Sequence, residues 1–117
     1  MSTPITDLTL QSLQGALRGL SARSQAIRDN IANAETPGFL ARTVDFESSL
    51  ARAMQAGNPG AVSVSTGRSS SPTNLSGNNV NVDEEFVAMT ETSLRNQLVT
   101  EALNAKYRLL RTSITGQ

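Results

Sequence analysis

The chain has 117 residues, with 10 Lys+Arg against 10 Asp+Glu, and contains no cysteine, histidine or tryptophan. Those absences exclude disulfide staples, thiolate catalysis, sulfur-ligated metal sites and the usual imidazole base, and the neutral balance speaks against a dedicated nucleic-acid binder. Only four aromatics are present, Phe39, Phe46, Phe86 and Tyr107; that is a thin supply for a core or a base-stacking platform, so composition disfavours an enzyme.

The stretch from Met1 to Asp7 has no basic n-region and no apolar run behind it, so no cleaved signal peptide is expected. No segment reaches the roughly 18 apolar residues of a membrane span. From about Pro4 to Ala34, apolar residues recur at helical spacing. Leu10, Leu13, Leu17, Leu20, Ser24, Ile27, Ile31 and Ala34 form a heptad seam with one polar position. Thr3 before Pro4 is the expected cap.

The segment Asn30-Ile31-Ala32-Asn33-Ala34-Glu35-Thr36-Pro37-Gly38-Phe39 reads as a helix stop. Pro37 biases Thr36 out of the α region, and Gly38 accepts a turn at positive φ. Asn30 and Asn33 are three apart and share one side of the last turns. Their amides can bond to released carbonyls or to a neighbouring chain. A short helix is expected over 45–56, capped by Asp45, with Phe46, Leu50 and Met54 on one face and Gly57 beyond its end.

From residue 57 to residue 82, 19 of 26 residues are Gly, Pro, Ser, Asn or Thr. Such a segment buries too little apolar surface to offset its ordering entropy. It reads as a flexible linker, with Val62 and Val64 against Val80 and Val82 as a weak candidate hairpin. The last helix is expected over 83–114. Asp83, Glu84 and Glu85 at its start and Lys106, Arg108 and Arg111 near its end suit the helix dipole. Asn81 with Glu84 resembles a capping box, and Asp83 is an alternative cap. The helix carries two apolar stripes. One is Val87, Leu94, Leu98, Ala102, Ala105 and Leu109; the other is Val99, Leu103, Tyr107, Leu110 and Ile114. A double stripe can touch two neighbours.

The expected fold is therefore mainly α. Two long N- and C-terminal helices pack as a coiled-coil-like hairpin, with a short helix and a flexible Gly/Ser/Asn-rich linker holding at most a small β element. The zones are 1–36, 37–56, 57–82 and 83–117, together one discontinuous helical domain. No phosphate loop, paired carboxylate site or metal-ligand cluster accompanies it, so no catalytic residue, cofactor or metal is expected. Arg18, Arg23 and Arg28 are spread by roughly 140° per step and read as flank charges beside the seam.

Asn30, Asn33, Thr36, Pro37, Gly38 and Phe39 resemble the N-terminal signature of the flagellar axial family, the rod, hook and hook-associated proteins. The continuation Ala41-Arg42-Thr43-Val44-Asp45-Phe46 is similar to that family's next segment. Gly77-Asn78-Asn79-Val80-Asn81-Val82-Asp83-Glu84-Glu85, ahead of a long helix, is similar to its proximal rod branch. Leu40 departs from the pattern, where a basic residue often follows the aromatic.

The resemblance implies a structural subunit of the proximal rod of the bacterial flagellar basal body, assembling helically and transmitting motor torque. It implies export through the flagellar type III apparatus without a cleaved signal, and residence in the periplasmic rod. The implied partners are other rod proteins, the chain itself, basal-body ring and export-gate components, and transiently the export apparatus, with neither nucleic acid nor direct membrane insertion. On this reading Asn30, Asn33, Thr36, Pro37, Gly38 and Phe39 form the assembly motif. Leu10, Leu13, Leu17, Leu20, Ile27 and Ile31 pack against Leu94, Leu98 and Leu109. Leu103, Tyr107, Leu110 and Ile114 meet adjacent subunits. The alternative is a small cytosolic helical adaptor or secretion chaperone.

Overall fold

The computed structural model describes residues 4–116, and the expected cap Thr3 lies outside them. The elements in chain order are α1 (Pro4–Ala32), β1 (Arg42–Asp45), α2 (Glu47–Gln55), a 3-10 turn (Pro59–Ala61), β2 (Ser65–Arg68) and α3 (Val82–Thr115). The molecule is a rod of 64 × 27 × 14 Å. It is mainly helical, as the periodicity implies, and α1 packs chiefly against α3.

On α1, Leu20 and Ile27 are buried, and Leu10, Leu13, Leu17 and Ile31 are half-buried. A second face of α1 owes its packing to missing side chains. Gly15 and Gly19 lie one turn apart and are both buried. A Cβ on Gly19 would clash with the Cγ edge of the Phe46 ring, and one on Gly15 would sit 3.2 Å from Val62 Cγ2. The bare backbone is thus what admits Phe46, which is itself buried. The Arg23 guanidinium lies over the same ring, 4.9 Å from its centroid, a cation–π arrangement.

The short helix forms where expected, but its cap differs. Phe46, not Asp45, stands at the N-cap, and it makes no side-chain cap bond. Asp45 is instead the last residue of β1, opposite Ser65. The β element also differs. β1 pairs antiparallel with β2 in the register Arg42↔Arg68 to Asp45↔Ser65, while the Val62/Val64 and Val80/Val82 pairs lie outside both strands. Among the eight strand residues only Val44 is half-buried and the rest are exposed. The ribbon is therefore held by its ladder rather than by an apolar face, so alternation of valines was no guide to it.

The segment 57–82 is tied down by polar bonds. Pro59 is fully buried, Ser63 N donates to Ser49 Oγ at 2.8 Å, and Ser69 N donates to the Ala41 carbonyl at 2.7 Å. Amides and hydroxyls supply the ordering contacts that apolar burial does not.

α3 starts at the Asn81 cap, whose Oδ1 accepts from Glu84 N at 3.2 Å. This is the expected capping arrangement, and it leaves Asp83 inside the helix. The burial of the two stripes of α3 differs from the expected one. Leu94, Leu98 and Leu109 are 57%, 70% and 64% exposed, so they do not join the α1 seam within the chain. Thr92 is buried and Val99, Leu103 and Leu110 are half-buried. Tyr107 and Ile114 are exposed. Spacing alone cannot separate two apolar stripes. The anchor at the start of α3 does so, because it turns Glu85 inward, and positions seven apart then follow on the same side.

Candidate assembly site

The end of α1, the chain reversal after it and the start of α3 meet in a cluster of asparagines. Asn30 is 1% exposed. Its Nδ2 donates to the Arg42 carbonyl at 3.0 Å, and its Oδ1 accepts from Arg42 N at 2.7 Å. The side chain thus pairs with one residue's main chain as a neighbouring strand would, and it fixes where β1 begins. Only a primary amide offers a donor and an acceptor in that geometry.

Asn33 closes the helix end. Its Nδ2 donates to the Asp29 carbonyl at 2.8 Å, and its Oδ1 accepts from Thr36 Oγ1 at 3.1 Å. Phe39 N then donates to the Thr36 carbonyl at 3.2 Å, closing a turn with Pro37 and Gly38 at its centre. Gly38 has φ +75°, the conformation that a Pro-Gly turn of this kind demands at its third residue. A Cβ there would meet nothing within 4 Å, so the demand for glycine comes from the backbone alone.

The opposing half of the cluster comes from 74–79. Asn78 is 2% exposed. Its Nδ2 donates to the carbonyls of Asn33 at 2.9 Å and Thr36 at 2.8 Å, and its Oδ1 accepts from Val80 N at 2.8 Å. Asn79 Oδ1 accepts from Ala41 N at 2.6 Å, and its Nδ2 donates to the Ser69 and Ser71 carbonyls, both at 3.1 Å. Asn74 Oδ1 accepts from Ser76 N at 2.9 Å and Asn78 N at 3.1 Å. Gly38 N reaches the Ser76 carbonyl at 2.8 Å. Asn78 thus adds a second donor to two carbonyls of the turn after α1, which already accept turn bonds from Thr36 N and Phe39 N.

Next to this cluster an ion network joins α1, α2 and α3. Arg23 holds Glu47 with both guanidinium nitrogens, at 2.6 and 2.7 Å, and donates to the Val44 carbonyl at 2.8 Å. Arg95 reaches Glu47 at 3.4 Å and Glu91 at 2.7 Å. The hydrogen bond from Arg23 is the main reason the Glu47 carboxyl is lowered to about 2. Glu85, close to Asn30, is shifted the other way: burial raises it, and a hydrogen bond from Asn30 opposes the rise.

The signs are therefore opposite. Glu47 stabilises the fold above the unfolded carboxylate range, and that contribution is lost as pH falls from about 4.5 towards 2. The Glu85 contribution is present at low pH and is lost as pH rises through its raised value. Urea melts between pH 7 and pH 2 should show stability falling in the lower window. Glu47→Gln should remove about 1 kcal/mol of that slope, a small figure because the pair is partly exposed. An unchanged slope in that variant would exclude the Arg23–Glu47 pair as its source.

The expected motif residues Asn30, Asn33, Thr36, Pro37, Gly38 and Phe39 thus gather at one end of the rod. Asn30 and Asn33 act within the chain, on Arg42 and on the helix's own carbonyl. Phe39 is half-buried, with the Arg42 guanidinium 6.0 Å from its ring centroid. The roles of Asn74, Asn78 and Asn79 were not read from the sequence. Their signal was density, since four of the eight residues from 74 to 81 are asparagine, but it reads equally as turn or linker. Among the described residues no group of His, Cys, Asp or Glu could hold a metal ion. No described helix is long and apolar enough to cross a membrane.

No protein-family model matches the chain. It is similar to the flagellar basal body rod protein FlgB of Bacillus subtilis strain 168, at 31% identity across 92% of this chain and 94% of that protein. It is 31% identical to the protein of the same name from Escherichia coli K12, across 87% and 89% of the two chains. For the Salmonella typhimurium LT2 protein the identity is 30%, across 94% and 95%. With similarity running nearly end to end in these relatives, the chain belongs to the FlgB family of flagellar basal body rod proteins.

Proposed function

We propose that the chain is a non-enzymatic structural subunit of the proximal rod, in which α1 and α3 pair as a coiled-coil-like hairpin and neighbouring subunits complete the core. The observation that carries this reading is the exposed apolar stripe of α3, set against a thin internal core. The buried apolar side chains among the described residues are Leu20, Ala26, Ile27, Ala41, Phe46, Ala53 and Pro59. Leu94, Leu98 and Leu109 remain in solvent. A monomer seldom leaves so long an apolar row uncovered, whereas a tubular assembly covers it with adjacent helices. Other rod proteins, basal-body ring and export-gate components are the partners this role requires. Transit through the flagellar type III apparatus and a periplasmic position belong to the same reading, as does torque transmission along the packed helices.

The asparagine cluster sets the angle between α1 and the segment that leaves it. Gly38→Val places a β-branched residue at positive φ, a strain of about 1–3 kcal/mol. In a strain carrying only the variant gene, rods should fail to assemble and swarming should be lost. Gly38→Asn, which tolerates that φ, should keep most motility. Normal swarming with Gly38→Val would remove the turn from the assembly. Absence of the wild-type chain from purified basal bodies would remove the rod role itself.

A further inference from the structure

The exposed stripe of α3 has a symmetry of its own. Val87, Leu94, Leu98, Ala102 and Leu109 stand at −11, −4, 0, +4 and +11 from Leu98. Val87 is 67% exposed, beside the exposed Leu94, Leu98 and Leu109. At about 100° per residue they keep to one side of the helix. A row with equal offsets either way can be laid on a reversed copy of itself without mismatch.

We propose that this stripe docks a second copy of the chain, α3 against α3 and antiparallel, with Leu98 on the two-fold axis. Leu98 then meets its own copy, Leu94 meets Ala102, and Val87 meets Leu109, large against small near the centre as close helix packing favours. The charges fit the same register. Glu91 stands seven residues before Leu98 and Lys106 eight after it, so the two come within about 1.5 Å along the axis in the antiparallel pair. Glu91 falls opposite Ala105 of the second copy, whose small side chain leaves room for Lys106 of that copy to reach the carboxylate. Within one chain Glu91 pairs with Arg95 at 2.7 Å, while Lys106 forms no ion pair among the described residues. Glu101 and its copy lie on the other flank, six residues or about 9 Å apart, close to the screening length in physiological salt.

Such a contact is isologous and closes on itself. A rod that grows in one direction needs open contacts, so the dimer stands apart from the rod reading and must separate before its α3 stripe can face rod neighbours.

Sedimentation equilibrium of the full chain, with single-cysteine cross-linking, tests this. The chain has no native cysteine, so each introduced thiol is the only one. The wild type should show a concentration-dependent dimer. Leu98→Glu should be monomeric with unchanged helix content, as befits a residue in solvent. Leu98→Cys should cross-link to itself on mild oxidation, and Asn104→Cys, on the far side of the helix, should not. Glu91→Lys should weaken the dimer about tenfold, since symmetry counts the pair twice, and Glu91→Lys with Lys106→Glu should restore it. A wild type that stays monomeric, a dimer that survives Leu98→Glu, or cross-linking through residue 104 would each overturn the proposal.

Discussion

Asn30→Leu should lower the unfolding free energy by about 3 kcal/mol, and the melting temperature by roughly 10 °C. Leucine has the same number of heavy side-chain atoms as asparagine, branched at the same carbon, and is the bulkier of the two, so the cost is not a cavity. It arises because the Arg42 N–H and carbonyl, both bonded to Asn30, are left without partners in a site where Asn30 is 1% exposed. An unpaired buried polar group costs about 1–3 kcal/mol. Asn30→Asp should also destabilise at neutral pH, because it removes the donor and sets a second carboxylate beside Glu85, which burial already disfavours in charged form. The aspartate variant should recover part of its stability as pH falls and the carboxyl regains a proton. Urea denaturation at pH 7 and pH 5 checks both. A loss under 1 kcal/mol in Asn30→Leu would mean that water reaches Arg42 and that the pairing is not what orders β1.

Gly19→Ala should be costly for the opposite reason, since it adds one atom where there is no room. A Cβ at Gly19 clashes with the Phe46 ring, and Phe46 is held by its own burial and by Arg23 above it. Overpacking of this sort costs about 1–3 kcal/mol, although alanine is intrinsically the better helix residue by about 1 kcal/mol. Phe46→Leu should destabilise alone, through lost ring packing. Combined with Gly19→Ala, the loss should be smaller than the sum of the two, because the smaller side chain clears the new methyl. Additive losses in the double variant would place the strain of Gly19→Ala elsewhere than the ring.

Both sites show how far the residues could be read before folding. The helix stop at Thr36-Pro37-Gly38 was legible because its chemistry is local: proline, a neighbour biased by it, and a glycine at positive φ. The Asn81 cap was legible for the same reason. The heptad of α1 identified Leu20 and Ile27 as inward. Asn30 and Asn33 were marked as functional side chains, but their partners were not identifiable. Arg42 lies 12 residues from Asn30 and Asn78 lies 45 from Asn33, and amide bonding leaves no periodic trace. Gly19 gave no signal either, since a close approach is visible only when the approaching ring is in place. The contacts of segment 57–82 leave no trace in its apolar content, because they are mostly hydrogen bonds to distant residues.

The sequence by itself determined the two long helices, where the first one stops, and which residue types are missing for catalysis. These follow from periodicity, backbone stereochemistry and composition, all of which act within a few residues. Only the tertiary structure decided which stripe of α3 faces α1. Both stripes are apolar at helical spacing, so burial alone favours neither. The choice falls to the asparagine contacts that seat the start of α3 against the end of α1. They turn Glu85, Thr92 and Val99 inward and leave Leu94, Leu98 and Leu109 in solvent.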